Sequence, residues 1–385
     1  MYRWASETDQ TAIMDLWAKD FESYEPFFSW YFDTVYRPGF TLCDFTGAAL
    51  AAALQLAPYT LALRGAEIKV CYVVGVITDP AFRGQGRGHA LLREAHQRLR
   101  DRGYAAALLY SDITGFYEPL GYRHCYQQQQ LSLPASHFPL LAAADIADIV
   151  WREGDLNSDM PALAGIYNSM TSHYDGYIRR SEKNWQNYLG EHNCDKARLL
   201  LAAGRAYVLY TTHEDMLKIV ELGFSDEAAL NSALAAAARA ALAQGAPQLL
   251  LPAPADAPRL LPQIPAACWQ PRPFVMARLI EWRAALSALT YPAAIQTALT
   301  LTVTDEGHEE YITLDIRDSR ASVSEARPEE AAHTKQPRAR LDIATLTRLV
   351  FGVPGAPEEV EATPPTRRLL AELFPTLPLW INEYT

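Results

Sequence analysis

Ile13, Leu16 and Trp17 recur at helical spacing and predict a helix over 9–24. An aromatic cluster follows: Tyr24, Phe27, Phe28, Trp30, Tyr31 and Phe32. Three short apolar runs, 41–45, 49–56 and 60–63, read as strands. Arg64-Gly65 reads as a turn, and 68–78 as a long β-branched strand ended by Asp79-Pro80. A glycine-rich loop then opens a helix over 87–102, with Leu91, Leu92, Ala95 and Leu99 on one face. Gly103 stops that helix, and 105–110 is a buried strand.

The same order returns further on. Residues 228–244 form an alanine-rich helix, with Ser225 as its N-cap and Asp226 and Glu227 at its positive end. Gly245 ends it, 248–251 is an apolar strand, and 206–210 and 217–222 pair upstream. This second copy has only Gly223 and Phe224 where the first has three loop glycines. Eight prolines from Pro247 to Pro273 mark connections within this second unit. Beyond it, 300–303 and 311–316 read as strands flanking a polar hairpin, and 341–351 and 367–374 as helices. The expected organisation is a multidomain α/β (α+β) chain: two tandem domains of one fold, 1–138 and 139–285, then a small α+β domain, 286–385.

Charge narrows the partners. With 34 Lys+Arg against 45 Asp+Glu, the 385-residue chain carries a formal charge of −11. Nucleic acid is not expected, because its affinity rests on cations against phosphate; a cationic small molecule is compatible with this balance. Five cysteines without a CxxC pair indicate free thiols in a reducing cytosol. Met1 leads a mixed, charged segment, so no signal peptide is expected. The longest apolar stretch, 47–63, contains Gln55 and Thr60 and falls short of the roughly 20 residues a spanning helix needs, so no membrane partner is expected. His89 and His96 lie seven apart and form no zinc pair, so no metal is expected.

The loop Arg83-Gly84-Gln85-Gly86-Arg87-Gly88 carries the chemistry. It opens a helix, whose first amides are unpaired and whose end is electropositive, so it suits a diphosphate. Glycines let the backbone approach closely. GxxxxGK[ST] is absent, as is the GxGxxG spacing of dinucleotide folds. The Arg-x-x-Gly-x-Gly spacing after a strand ending in Asp-Pro resembles the acetyl-CoA signature of the GNAT N-acetyltransferases. Gly115-Phe116-Tyr117-Glu118-Pro119-Leu120-Gly121-Tyr122 resembles their FYxxxGY segment.

Taken over nearly the whole chain, the layout resembles the Eis-type (enhanced intracellular survival) acetyltransferases. It has a full GNAT domain, a degenerate one without the pyrophosphate loop, and a terminal domain similar to sterol carrier proteins. Residues 177–189, 301–305, 341–352 and 377–385 resemble family segments. The resemblance implies acetyl-CoA as cosubstrate and a cationic amine acceptor of aminoglycoside, polyamine or lysine type, in a homohexamer. It implies that Val76, Ile77 and Thr78 bond pantetheine and acetyl through their backbone, that Arg83, Gly84, Gln85, Gly86, Arg87, Gly88 and His89 cradle the diphosphate, and that Asp112 and Ile113 line the far side. Tyr117 matches the proton donor, and the terminal carboxylate of Thr385 the proton acceptor, although the family ends in an aromatic residue. A carboxylate can deprotonate an alkylammonium, whose ordinary pKa is near 10.4, and a phenol can protonate the departing thiolate. Tyr24, Phe27 and Trp30 either line an amine pocket, where aromatic faces attract cations, or pack the core. Glu383 either attracts the substrate or is a solvated acid. The apolar tail residues 380, 381 and 384 predict a buried tail reaching the first domain. Lipid binding by the third domain, or acetyl-CoA sensing without turnover, are the competing readings.

Overall fold

The computed structural model describes all residues except 22, 138–148, 330–333, 335 and 384–385. One thirteen-stranded sheet runs through the first two domains. Its order is Tyr2–Trp4, Thr41–Thr46, Ala49–Leu63, Ala66–Thr78, Ala106–Leu109, Trp269–Leu279, Arg123–Pro134, Gln248–Ala253, Met216–Phe224, Ala206–His213, Arg198–Ala202 and Arg152–Gly154. The remaining strand, Tyr177–Arg179, pairs with Thr60–Ala62. Helix Arg87–Asp101 packs Leu91, Leu92, Ala95 and Leu99 on one face of the sheet; helix Glu227–Ala243 does the same in the second domain.

The two copies interlock. Strand Trp269–Leu279, which follows the second copy in sequence, enters the first domain between Ala106–Leu109 and Arg123–Pro134, antiparallel to both. Arg123–Pro134 in turn pairs with Gln248–Ala253. The prolines of 247–273 are therefore not confined to connections: Pro252, Pro271 and Pro273 lie within strands, and the ladder slips beside Pro273. A second correction concerns 49–63, where two expected runs form one strand, Ala49–Leu63. Pro58 is tolerated inside it because only one side of the strand is paired there. Thr41 opposes Gln55 and Arg179 opposes Thr60, leaving Leu56–Tyr59 without a neighbour on that side. The first helix is also shorter than expected: Gln10–Trp17 follows a 3₁₀ turn over Glu7–Asp9, and the chain turns away after Trp17. The cap of the alanine-rich helix is Asp226 rather than Ser225: its carboxylate accepts the Ala229 amide at 2.9 Å, while the Ser225 hydroxyl donates to it.

The third domain is a five-stranded sheet ordered Arg320–Glu325, His308–Arg317, Thr297–Asp305, Arg338–Asp342, Glu361–Ala362. Helices Ile343–Val350 and Pro364–Leu373 complete it, and Leu301, Val303, Ile312, Leu314, Leu346, Leu349 and Leu370 fill its interior. A groove in this domain is bordered by Arg338, Arg340, Thr363 and Arg367. Two buried arginines bind it to the rest. Arg64, in the turn before strand Ala66–Thr78, donates to the carbonyls of Leu349, Val350 and Pro375, so a cation meets the negative end of a helix. Burial brings its pKa down to about 10. Arg278 donates to the Leu120 carbonyl and to Asp305.

Candidate active site

Strand Ala66–Thr78 runs parallel to Ala106–Leu109 for three residue pairs only, Val70–Ala106, Cys71–Ala107 and Tyr72–Leu108. Past Tyr72 the two part, and among the described residues the edge of 73–78 on that side has no strand partner. On its other side the same strand bulges. Ala53 opposes Ile77 and Gln55 opposes Val74, so Gly75 and Val76 share Leu54. Gly75 supplies the bulge's φ of +58°, and a side chain there would collide with the Trp17 ring. The extra residue shifts the two-residue alternation by one: Tyr72, Val74 and Ile77 face one core, while Val73 and Val76 face the other. An unpaired strand edge leaves amides and carbonyls that need partners, and a chain with amides of its own, such as pantetheine, can supply them.

The edge leads directly to the glycine loop. Gly84 and Gly86 have φ of +73° and +72°, which favours glycine, and a Cβ at either would meet nothing within 4 Å. The concavity is thus open, and Gly86 leads into the helix without a side-chain cap. The amides of Arg87, Gly88 and His89 begin the helix and have no helical carbonyl behind them. Gly88 is close-packed: a Cβ would lie 2.9 Å from the Phe116 ring. The loop cations are held by neighbours. Arg83 makes a two-pronged bond to Asp20 at 2.5 Å and donates to the Thr78 carbonyl; Arg87 pairs with Asp44 at 2.7 Å over the Phe82 ring. His89 bonds the Phe116 carbonyl at 2.8 Å. The open surface of the loop is therefore backbone, with the arginine side chains engaged by carboxylates.

Tyr117 ends the short helix Thr114–Tyr117 and, like Val76 and Phe116, borders the core of Leu91, Leu92 and Tyr122, its ring edge-on to Phe116 and Tyr122. Burial raises its phenol above the ordinary value, against a bond with Ser111 that lowers it, so the hydroxyl keeps its proton at neutral pH. Asp112 accepts from the Tyr110 hydroxyl at 3.1 Å, and Ile113 stands 72 % exposed beside it. Val76, Tyr117 and the loop thus meet at the divergence of the two strands.

The expected acceptor residues divide. Phe27 and Trp30 line a cavity of about 520 Å³ between the first two domains, in the notch left open along Leu56–Tyr59. Trp30 also packs against the second domain, where a Cβ at Gly190 would come within 2.6 Å of its ring. Tyr24 stacks on Phe27 and donates to Asp195 at 2.7 Å. Glu383 is neither in the cavity wall nor solvated. It is 2 % exposed and accepts from Arg180 at 2.8 Å. The other two arms of Arg180 hold Glu221, and rings of Tyr167, Trp185 and Tyr188 surround the guanidinium at 3.9–4.5 Å. Burial raises the Glu383 carboxyl and Arg180 opposes that; for Glu221 the same burial is outweighed by Arg180 and its hydrogen bonds, and its pKa falls. Asn382 joins Gln128 of the first domain to the Val220 carbonyl of the second. The tail is therefore buried between the two domains as far as Glu383. Tyr384 and Thr385 lie outside the described residues. Sequence reasoning missed Glu191, Asn187 and Gln55 in the cavity, which no local pattern marks. It also missed the bulge at Gly75, for which a lone glycine in a β-branched run was an available signal.

Among the described residues, no cluster of three or more His, Cys, Asp or Glu forms a candidate metal site, and no helix is long and apolar enough to cross a membrane.

Comparison with known proteins agrees with this geometry. Residues 1–125 match the acetyltransferase (GNAT) domain family and 282–374 the sterol carrier protein domain family. A GCN5-related N-acetyltransferase from Anabaena variabilis superimposes with a TM-score of 0.85 at 17 % identity, over 100 % of both chains. One from Kribbella flavida gives 0.82 at 19 %, over 100 % of this chain and 98 % of that one. Eis1 from Mycobacterium abscessus gives 0.75 at 16 %, over 100 % of both. No curated protein sequence matches. The chain carries a GNAT acetyltransferase domain at its N-terminal end and a sterol-carrier-like domain at its C-terminal end, and it is an acyltransferase.

Proposed function

We propose that this acyltransferase is an Eis-type N-acetyltransferase that moves acetyl from acetyl-CoA to a primary amine of a small cationic acceptor, of aminoglycoside, polyamine or lysine type. The observation that carries this reading is the meeting of three features: the unpaired 73–78 edge, the open helix end at Gly86, and Tyr117. Acetyl-CoA, when bound, supplies the thioester and a thiolate leaving group. The backbone of Val76, Ile77 and Thr78 would hold pantetheine and the thioester oxygen as negative charge develops. Amides of Gly84 to His89 would hold the diphosphate. Asp112 and Ile113 would border the cofactor. Tyr117, with its proton retained by burial, would donate it to the departing sulfur.

The amine must be neutral to attack, and the terminal carboxylate of Thr385 is the base in this reading. Support comes from the burial of the tail up to Glu383, two residues before it. A homohexamer in the cytoplasm belongs to the same proposal, and light scattering on the purified chain tests the assembly. The function is tested by thiol release from acetyl-CoA over aminoglycosides, polyamines, lysine peptides and arylamines. Amine-dependent release with stoichiometric N-acetyl product is the expected outcome. Acetyl-CoA binding without release for any amine would replace the enzyme reading with a sensor.

A further inference from the structure

The cavity beside Phe27 and Trp30 has a polar end with unmet demands. Helix Glu182–Cys194 of the second domain presents Asn187 and Glu191 to it, one turn apart. Opposite them, Gln55 is 5 % exposed; its carbonyl oxygen accepts from Tyr31 at 2.9 Å, and its amide nitrogen has no partner. The side-chain oxygen of Asn187 is likewise buried without a partner. No ion pair within the chain reaches Glu191 among the described residues. Phe27, Trp30, Tyr31, Tyr59 and Tyr188 wall the same space. Glu191 is half-buried, and with no cation beside it its charged form is disfavoured; aromatic faces attract cations, and a buried amide without a partner is costly. Both costs fall, and the aromatic faces gain a cation, if one ligand brings an ammonium beside an oxygen.

This rests on the acetyltransferase reading and deepens it. We propose that Glu191, Asn187 and Gln55 form a subsite for the non-reacting ammonium of a polyfunctional acceptor, with Glu191 pairing the charge, Asn187 accepting from it, and Gln55 donating to a neighbouring hydroxyl or ether oxygen. The amine that attacks the thioester must be neutral. A cage that stabilises positive charge therefore holds a second amine of the same molecule. Reach agrees, because the cavity also touches Val74, two residues before Val76 on the bulged strand. The second domain, which has lost its glycine loop, thereby acquires a role in selecting the acceptor.

Charged and titratable neighbours of Glu191 are Asp195 and Cys194 on its own helix and the phenols of Tyr24, Tyr31, Tyr59 and Tyr188. Lys183 borders the cavity two helical steps away, about 12 Å along the axis at 1.5 Å per residue. Arg179 and Lys69 sit farther along the notch, opposite Thr60, and Arg37 and Arg102 also line the cavity. Burial, reinforced by Asp195, pushes Glu191 up to about 8, so the empty site holds a proton at pH 7. Seating an ammonium beside it expels that proton.

The experiment uses 1,3-diaminopropan-2-ol and the single amine propylamine on the full chain. Calorimetry at pH 7 in phosphate and in Tris should show proton release when the diamine binds the wild type and none with Glu191→Gln. The ratio of KM for the diamine to that for propylamine should rise at least tenfold in Glu191→Gln, and Glu191→Asp should recover part of it. An unchanged ratio, or no diamine binding to the wild type, overturns the subsite. If Glu191→Gln does not fold, Asn187→Leu should move the same ratio in the same direction. Diamine binding that depends on Glu191, with no transfer to any amine, would remove the acetyltransferase reading and leave the subsite standing. Transfer indifferent to Glu191 would do the reverse.

Discussion

Two helices in this molecule follow a parallel strand order and begin differently. The first, Arg87–Asp101, begins at Gly86 with a left-handed residue, no side-chain cap and open space ahead of it. The second, Glu227–Ala243, begins at Asp226, whose carboxylate caps the Ala229 amide and pairs with Arg205. In the second copy an internal anion already occupies the electropositive end, and Gly223 is pressed against the Tyr207 ring. The short helices that follow the next strand differ as well: Thr114–Tyr117 ends in a phenol, whereas Ala257–Leu260 has no hydroxyl. A helix end is a ligand site only when the chain leaves it unsatisfied. The first copy is kept open and the second is closed upon itself.

The contrast breaks most visibly at Tyr117. Tyr117→Phe keeps the ring and should lower kcat by about 10²-fold, or ~2.8 kcal/mol, with acetyl-CoA affinity retained. Wild-type turnover would make the phenol a packing group only. Gly86→Asp copies the second domain's cap into the first. A carboxylate where the diphosphate is expected should weaken acetyl-CoA binding tenfold or more, about 1.4 kcal/mol, read by calorimetry. Unchanged affinity would move the phosphates elsewhere.

The converse change is smaller. Asp226→Ala should lower unfolding stability by about 1 kcal/mol, the usual worth of an N-cap, and leave one acetyl-CoA per chain. A stoichiometry of two in either protein would refute the closed second copy.

The least effect is a slope. Glu191 has a raised folded-state pKa, so the native chain keeps a proton that the unfolded chain releases between about pH 4.5 and 8. Its contribution to stability is greatest below that window and falls as pH rises through it. Thermal unfolding from pH 5 to 8 should therefore decline less steeply in Glu191→Gln than in the wild type; identical slopes would mean that the carboxyl is not desolvated.

The glycine loop and the FYxxxGY segment were legible because their requirements are local. Positive φ at Gly84 and Gly86 and a helix start at Arg87 depend on a few adjoining residues. Burial of the tail was legible from Trp380 and Ile381, which are 3 % and 0 % exposed. Glu383 shows the limit. Its position near the end of the chain suggested substrate attraction or solvent, whereas Arg180, 203 residues earlier, takes it into the core.

By itself the sequence determined the alternation of helix and strand, the duplicated order, the loop that lacks side chains, and the phenol that follows it. These rest on dihedral preferences and short-period apolar patterns, which neighbouring residues set among themselves. Only the tertiary structure decided that Trp269–Leu279 would join the first domain and that, among the described residues, Leu56–Tyr59 would lack a neighbour on one side and Glu191 would face Tyr31 and Tyr59 without an ion-pair partner. Strand order, desolvation and charge pairing depend on which distant segments displace water from a group, and apolar periodicity records only that a face is buried, not what buries it.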